Sequence, residues 1–233
     1  MPGESPFLVD KPNSPKFLIE TILPKREVHL LGGPSGAGKT RWLLTTLLMH
    51  WRHGLPVLGY KSYPVPWVYI AADRTLDSVG RTMAGMGLSL NGIPIVPAWD
   101  DKLGLNGIFD GIDKSNASLA IIESFGSFVE PPYNSNNVKA LLQTCSRCCQ
   151  KGNLTVIGVV ESPKMKPYER YENPRQRISG AAAWGHFSET IFLVEPDPKD
   201  PESLNRTLWV CPRNAPMIKK TGSFSTAGTI EFA

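Results

Sequence analysis

Short apolar runs bounded by turn residues recur along the chain: EVHLLGG (27–33), WVYIAAD (67–73), LAIIES (119–124), TVIGVVES (155–162) and TIFLVEP (190–196). Their hydrophobicity is nearly continuous rather than alternating, which predicts strands covered on both faces, as in a parallel sheet. Between them lie segments of helical character at 39–52, 76–86, 137–151 and 181–188. Strand and helix in alternation predict an α/β fold, a mostly parallel twisted sheet flanked by helices. After the fifth run, TLWVCPRNAP (207–216) and GTIEFA (228–233) predict an antiparallel β-hairpin at the sheet's edge, turning at residues 219–222.

Residues 1–15, MPGESPFLVDKPNSP, carry four prolines and read as an extended arm, leaving 16–233 as one domain. With 41% hydrophobic and 20% charged residues in 233, the chain can bury a full core, which excludes a disordered tail protein or a collagen-like repeat. The formal net charge of +4 neither demands nor excludes an acidic partner, so local clusters must decide. No charged-then-apolar leader opens the sequence and no apolar run reaches the roughly 18 residues of a membrane span, so a cytoplasmic, non-membrane protein is expected. Cys145, Cys148, Cys149 and Cys211 include no second CxxC pair, and read as buried thiols rather than a metal site.

Residues 33–40, GPSGAGKT, satisfy G-x-x-x-x-G-K-[ST] between an apolar strand and an amphipathic helix, the context that this phosphate-cradling loop requires. Gly33, Gly36 and Gly38 let the backbone turn tightly enough to aim several N–H groups at one point, beside the positive end of the helix dipole. A polyphosphate belongs there. Lys39 is placed to neutralise β- and γ-phosphate oxygens and the Thr40 hydroxyl to ligate Mg²⁺. The candidate nucleotide segment is Gly33, Pro34, Ser35, Gly36, Ala37, Gly38, Lys39, Thr40 and the following Arg41. Three carboxylates close neighbouring strands: Asp73 the second, Glu123 the third and Glu161 the fourth. Ligands of open α/β sheets lie at those carboxyl ends, where one acid can organise Mg²⁺ and another can orient an attacking water.

From about residue 17 onward the sequence resembles the RecA/DnaB-type core ATPases, and within them the small RepA-like hexameric helicase group of plasmids and phages. FLIETILPKREVHLLGGPSGAGKT resembles that group's opening, and VYIAADRTLDSVGRTMAGMG its second strand, acidic tip and following helix. The resemblance implies a RecA-like core with ATP and Mg²⁺ as cofactors. It assigns Asp73, 34 residues beyond Lys39, to water activation, although the group usually has Glu there. LAIIES resembles the Mg²⁺-binding strand, with Glu123 in place of Asp. TVIGVVESPK resembles the strand that ends in a phosphate-sensing His, here Glu161, so that sensing passes to Ser162 or Lys164. RISGAAAWGHFSETIFLVEP resembles the segment before the fifth strand, and WVCPRNAP the late hairpin whose arginine, here Arg213, reaches into a neighbour's site.

An arginine acting in trans implies a homo-oligomer, a hexameric ring or a filament. KMKPYERYENPRQR (164–177) sets five cations against two carboxylates, with tyrosines interleaved. By resemblance this connection faces a central channel, so Lys166, Tyr168, Arg170, Tyr171, Arg175 and Arg177 are candidate contacts to single-stranded DNA or RNA. The expected activity is that of an ATP-hydrolysing motor on single-stranded nucleic acid, a phage- or plasmid-type replicative helicase core. A recombination-type ATPase that coats or anneals single strands is the alternative, and a small-molecule P-loop kinase a more distant one. GTP is disfavoured, because no [NT]KxD guanine-reading tetrapeptide occurs.

Overall fold

Each apolar run becomes a strand because its residues are buried by layers on both sides. A computed structural model describes residues 16–72, 75–85, 95–97, 104–130, 134–162, 173–178, 183–225 and 230–232. The proline-rich arm (1–15), Asp73, Lys164, Lys166, Tyr168, Arg170 and Tyr171 lie outside the described residues.

A small hairpin, β1 (Phe17–Ile19) and β2 (Leu23–Pro24), leads into the main sheet. Its parallel strands are β3 (Val28–Gly32), β4 (Trp67–Ala71), β5 (Ile95–Pro97), β6 (Leu119–Ile122), β7 (Thr155–Val159) and β8 (Thr190–Pro196). Three antiparallel strands follow: β9 (Asn205–Pro212), β10 (Ile218–Phe224) and β11 (Ile230–Phe232). The nine-stranded order is β11-β10-β9-β8-β3-β7-β6-β4-β5, so β3 sits centrally between two strands that come much later in the chain. After β3 the chain crosses beyond β7 and β6 to form β4. This opens the crevice at the carboxyl end of β3 where ligands of such sheets lie.

Alternate residues of every central strand serve different cores. Leu31, Tyr69, Ile121 and Ile157 point into one face with Trp42, Leu43 and Trp51 of the run 39–52. Leu30, Ile70, Ile122 and Val156 point into the other, with Leu142 and Cys145 of the helix Ser135–Gly152 and Trp184 of the helix Ala183–Phe187. The run 39–52 is helical throughout: α1 (Lys39–Trp42), a π turn (Leu43–Leu48) and α2 (Met49–Arg52). The remaining helices are α3 (Leu76–Ala84), α4 (Gly104–Lys114), α5 (Ser135–Gly152) and α6 (Ala183–Phe187). Thr75 caps α3 by accepting from the Ser78 N–H, and Asn134 caps α5 by accepting from Asn136 and Asn137.

Two features depart from the sequence expectation. Residues 219–222 do not turn but lie inside β10, with Lys219 opposite Trp209 and Lys220 opposite Leu208, so the extension has three strands rather than two. The strand IKKTGSF alternates half-buried and exposed positions and carries no apolar run to announce it. The strand β5 and the helix α4, which contains three glycines, are also absent from the apolar pattern. Among the described residues no helix is long and apolar enough to cross a membrane. The four cysteines are free thiols, and burial pushes those of Cys145, Cys149 and Cys211 up, the last to about 11. Among the described residues no group of metal-ligating side chains includes them.

Candidate nucleotide site at the carboxyl edge of the sheet

Gly33 leaves β3 with φ 153°, and a Cβ there would lie 2.4 Å from the Val194 carbonyl oxygen, so only glycine lets the loop hug β8. Gly38 adopts a left-handed conformation (φ 96°, ψ 19°) immediately before α1, and no side chain caps that helix. The first-turn N–H groups, which have no intrahelical acceptor, are therefore offered to whatever occupies the loop. Lys39 folds back over the loop, donating from Nζ to the carbonyls of Gly33 (2.7 Å) and Pro34 (3.0 Å). Backbone donors and an ammonium converging on one concavity are the donor set of a polyphosphate.

Beside it the Thr40 hydroxyl donates to Glu123 Oε1 at 2.6 Å, joining the phosphate loop to the tip of β6. Glu123 is only 3% exposed. Its N–H donates to the Ile70 carbonyl (3.0 Å), and Ser124 then turns the chain away in a left-handed conformation (φ 48°). A hydroxyl and a carboxylate at this separation are hard oxygen ligands suited to Mg²⁺. Hydrogen bonds continue the pairing of β3 and β7 into the loop, from the Val160 N–H to the Leu31 carbonyl and from the Ser162 N–H to the Gly33 carbonyl (both 3.0 Å). Ser162 is buried, whereas Glu161 is exposed on the same cleft.

The cleft has a volume of about 660 Å³, and Ser35, Lys39, Thr40, Glu123, Glu161 and Arg206 line it. Its apolar side is the Phe224 ring, with the Arg41 guanidinium 5.4 Å from the ring centroid. Arg206 is the residue that the sequence pattern missed. It opens β9, is 8% exposed, and donates from Nε to the carbonyl of Ala37 within the phosphate loop (3.1 Å). No local motif marks it, since its place beside the loop follows only from β9 pairing with β8 and β8 with β3.

Three candidate arginines lie elsewhere. Arg175, expected on nucleic acid, instead spends its guanidinium on the carbonyls of Gly185, Ser188, Glu189 and Cys211, at 2.5 to 3.4 Å. Arg177, expected on the same track, pairs with Glu195 at 2.6 Å and lies over the Trp209 ring. These contacts hold the segment 173–178 against β8 and β9. Arg213 follows β9 at the amino edge of the parallel sheet, 43% exposed, 3.7 Å from Glu189 and donating to the carbonyls of His186 and Ser188.

A glycine-turned phosphate loop between the central strand and its helix, with a carboxylate on the next strand but one, defines a P-loop ATPase domain of RecA type. Residues 5–166 match the family profile described as an AAA domain, and the chain belongs to that family. Among solved structures, the chain is similar to a KaiC-like protein of the hyperthermophilic archaeon Pyrococcus horikoshii OT3. That match has a TM-score of 0.65 at 19% identity over 93% of each chain, a likeness of fold. A search of curated proteins finds no match.

Proposed function

We propose that this chain is an ATP-driven motor that assembles into a hexameric ring or a filament and acts on single-stranded nucleic acid, as a phage- or plasmid-type replicative helicase core does. The observation that carries the reading is the separation of Arg213 from its own cleft. Along β8 and β9 the register runs from Pro196 opposite Arg206, beside the phosphate loop, to Thr190 opposite Pro212. Seven residues at about 3.3 Å each, from Arg206 to Arg213, place Arg213 roughly 23 Å away. An arginine there can serve a phosphoryl group only in an adjacent subunit, which makes assembly part of catalysis.

In this reading the amides of Gly33–Thr40 and Lys39 hold the triphosphate, and Thr40 and Glu123 hold Mg²⁺. Bound MgATP supplies the phosphoanhydride bond whose hydrolysis drives movement. Asp73 orients the attacking water, Ser162, Glu161 and Lys164 report the state of the γ-phosphate, and Arg41 with Phe224 flanks the base. Lys166, Tyr168, Arg170 and Tyr171 form the nucleic-acid track, without Arg175 and Arg177, whose donors are engaged within the fold.

The test is the ATPase rate with and without oligo-dT, read beside the mass of the assembly in a non-hydrolysable ATP analogue, followed by separation of a forked duplex. Stimulated hydrolysis, an oligomer and ATP-dependent unwinding are expected. A monomer with unstimulated hydrolysis would sink the motor reading, and strand pairing without hydrolysis would replace it with the annealing filament.

A further inference from the structure

Arg206, like the half-buried Arg175, bonds only carbonyls, but one of its carbonyls belongs to the phosphate loop. Arg177 has Glu195 and Arg213 has Glu189, whereas among the described residues Arg206 pairs with neither Asp nor Glu. Its bonds all go to backbone: Nε to the Ala37 carbonyl, and Nη1 to the carbonyls of Ser203 and Asn205 (2.7 Å each). Its plane lies over the Phe224 ring, 4.7 Å from the centroid. A buried cation without a counter-ion is costly. Burial accordingly lowers its pKa.

The position of that charge indicates its use. Arg206 lines two cavities that share Ser35 and Gly36 of the phosphate loop: the cleft already described, and a second of about 710 Å³ bounded also by Glu195 and Trp209. The Ala37 carbonyl and the Gly38 N–H belong to one peptide unit. A cation on the oxygen withdraws electron density from the N–H and strengthens it as a donor, as linked hydrogen bonds polarise one another. Gly38 lines the cleft in the left-handed conformation that precedes α1.

We infer that Arg206 is a positioning residue, supplied in cis, that holds the phosphate loop through Ala37 and charges the Gly38 amide for a bound polyphosphate. The inference rests on the nucleotide reading of the site and adds a residue to it. Bound phosphates complete the electrostatics, since the guanidinium gains the counter-charge that the fold withholds.

The test measures binding of MgADP and of magnesium tripolyphosphate to wild type, Arg206→Gln, Arg206→Lys and Lys39→Ala by calorimetry, together with thermal midpoints. Loss of one nearby unit charge predicts that Arg206→Gln weakens both ligands by about tenfold or more, tripolyphosphate as much as MgADP. Arg206→Lys, which keeps the charge but not the fork, should recover most of that loss. A strut with no electrostatic part makes Lys as poor as Gln, because neither reproduces the fork. That result, or affinity in Arg206→Gln equal to wild type, overturns the inference while leaving the nucleotide reading intact. Absence of MgADP binding by wild type overturns both. Should Arg206→Gln not fold, the Gly38 amide proton decides in glycine-labelled protein. It should move upfield in Arg206→Met, which keeps the bulk but drops the charge, with Gly33 unchanged, and no movement overturns the inference.

Discussion

The two ends of the parallel sheet hold their cations in different ways. At the carboxyl edge Lys39 and Arg206 donate to carbonyls of the phosphate loop itself, so their charge stays where an anion would arrive. At the amino edge Arg175 and Arg213 both donate to the Ser188 carbonyl, yet differ from each other. Arg175 bonds four carbonyls and is half-buried, as a strut must be. Arg213 is held by the carbonyls of His186 and Ser188 and a long contact to Glu189, and remains accessible. Residue type alone does not separate a structural arginine from an available one. The number of acceptors and the exposure do.

The largest effect expected on this contrast is at the carboxyl edge: Lys39→Ala should reduce ATP hydrolysis to background while circular dichroism stays that of the folded protein. Next, Arg213→Ala should bind MgADP within about twofold of wild type yet lose about 10³-fold in turnover, the usual range for an arginine acting in trans. Mixing it with Lys39→Ala should restore part of the rate, and no restoration would remove Arg213 from the neighbour's site. The stability scale reverses the order of the two arginines. Arg175→Ala strips donors from partly buried carbonyls and should cost about 2–3 kcal/mol in urea unfolding, whereas Arg213→Ala, losing an exposed pair, should cost less than about 1 kcal/mol. Equal costs would erase the distinction between strut and finger.

The smallest effect concerns pH. His29, fully buried near the amino edge, has Nε2 2.9 Å from the Pro24 carbonyl, and burial lowers its pKa from 6.5 to about 3. The unfolded chain therefore takes up a proton that the folded chain refuses. This group's stability is present above the unfolded value and falls as pH drops from about 6.5 toward 3, by up to about 1.4 kcal/mol per pH unit. In urea titrations across that window, His29→Gln should flatten the slope, and an unchanged slope would assign the acid sensitivity elsewhere.

The parallel core was legible because burial on both faces demands runs such as LAIIES and TVIGVVES, which no exposed element would carry. The phosphate loop was legible because its function is encoded locally, in glycines and a lysine at fixed spacing. Residues defined by distant pairing were not: Arg206 reaches Ala37 across 169 positions, and nothing in NRTLWVCP separates it from a surface arginine. The cations of 164–177 misled in part for the same reason, since the acceptors of Arg175 lie 10 to 36 residues downstream. Strand β10 escaped because a half-exposed strand near the sheet's margin needs no apolar residues.

The contact between Gly33 and the Val194 carbonyl bears on how variants of this chain should be scored. Any side chain at that point presses on the hydrogen-bonded seam between β3 and β8, so damage there reaches the cellular level of the protein as well as its chemistry. Lys39 marks the opposite case, since shortening its side chain removes donors to the loop carbonyls without pressing on the seam. A deep mutational scan reading abundance in parallel with activity would sort the phosphate loop into positions that build the scaffold and positions that only use it.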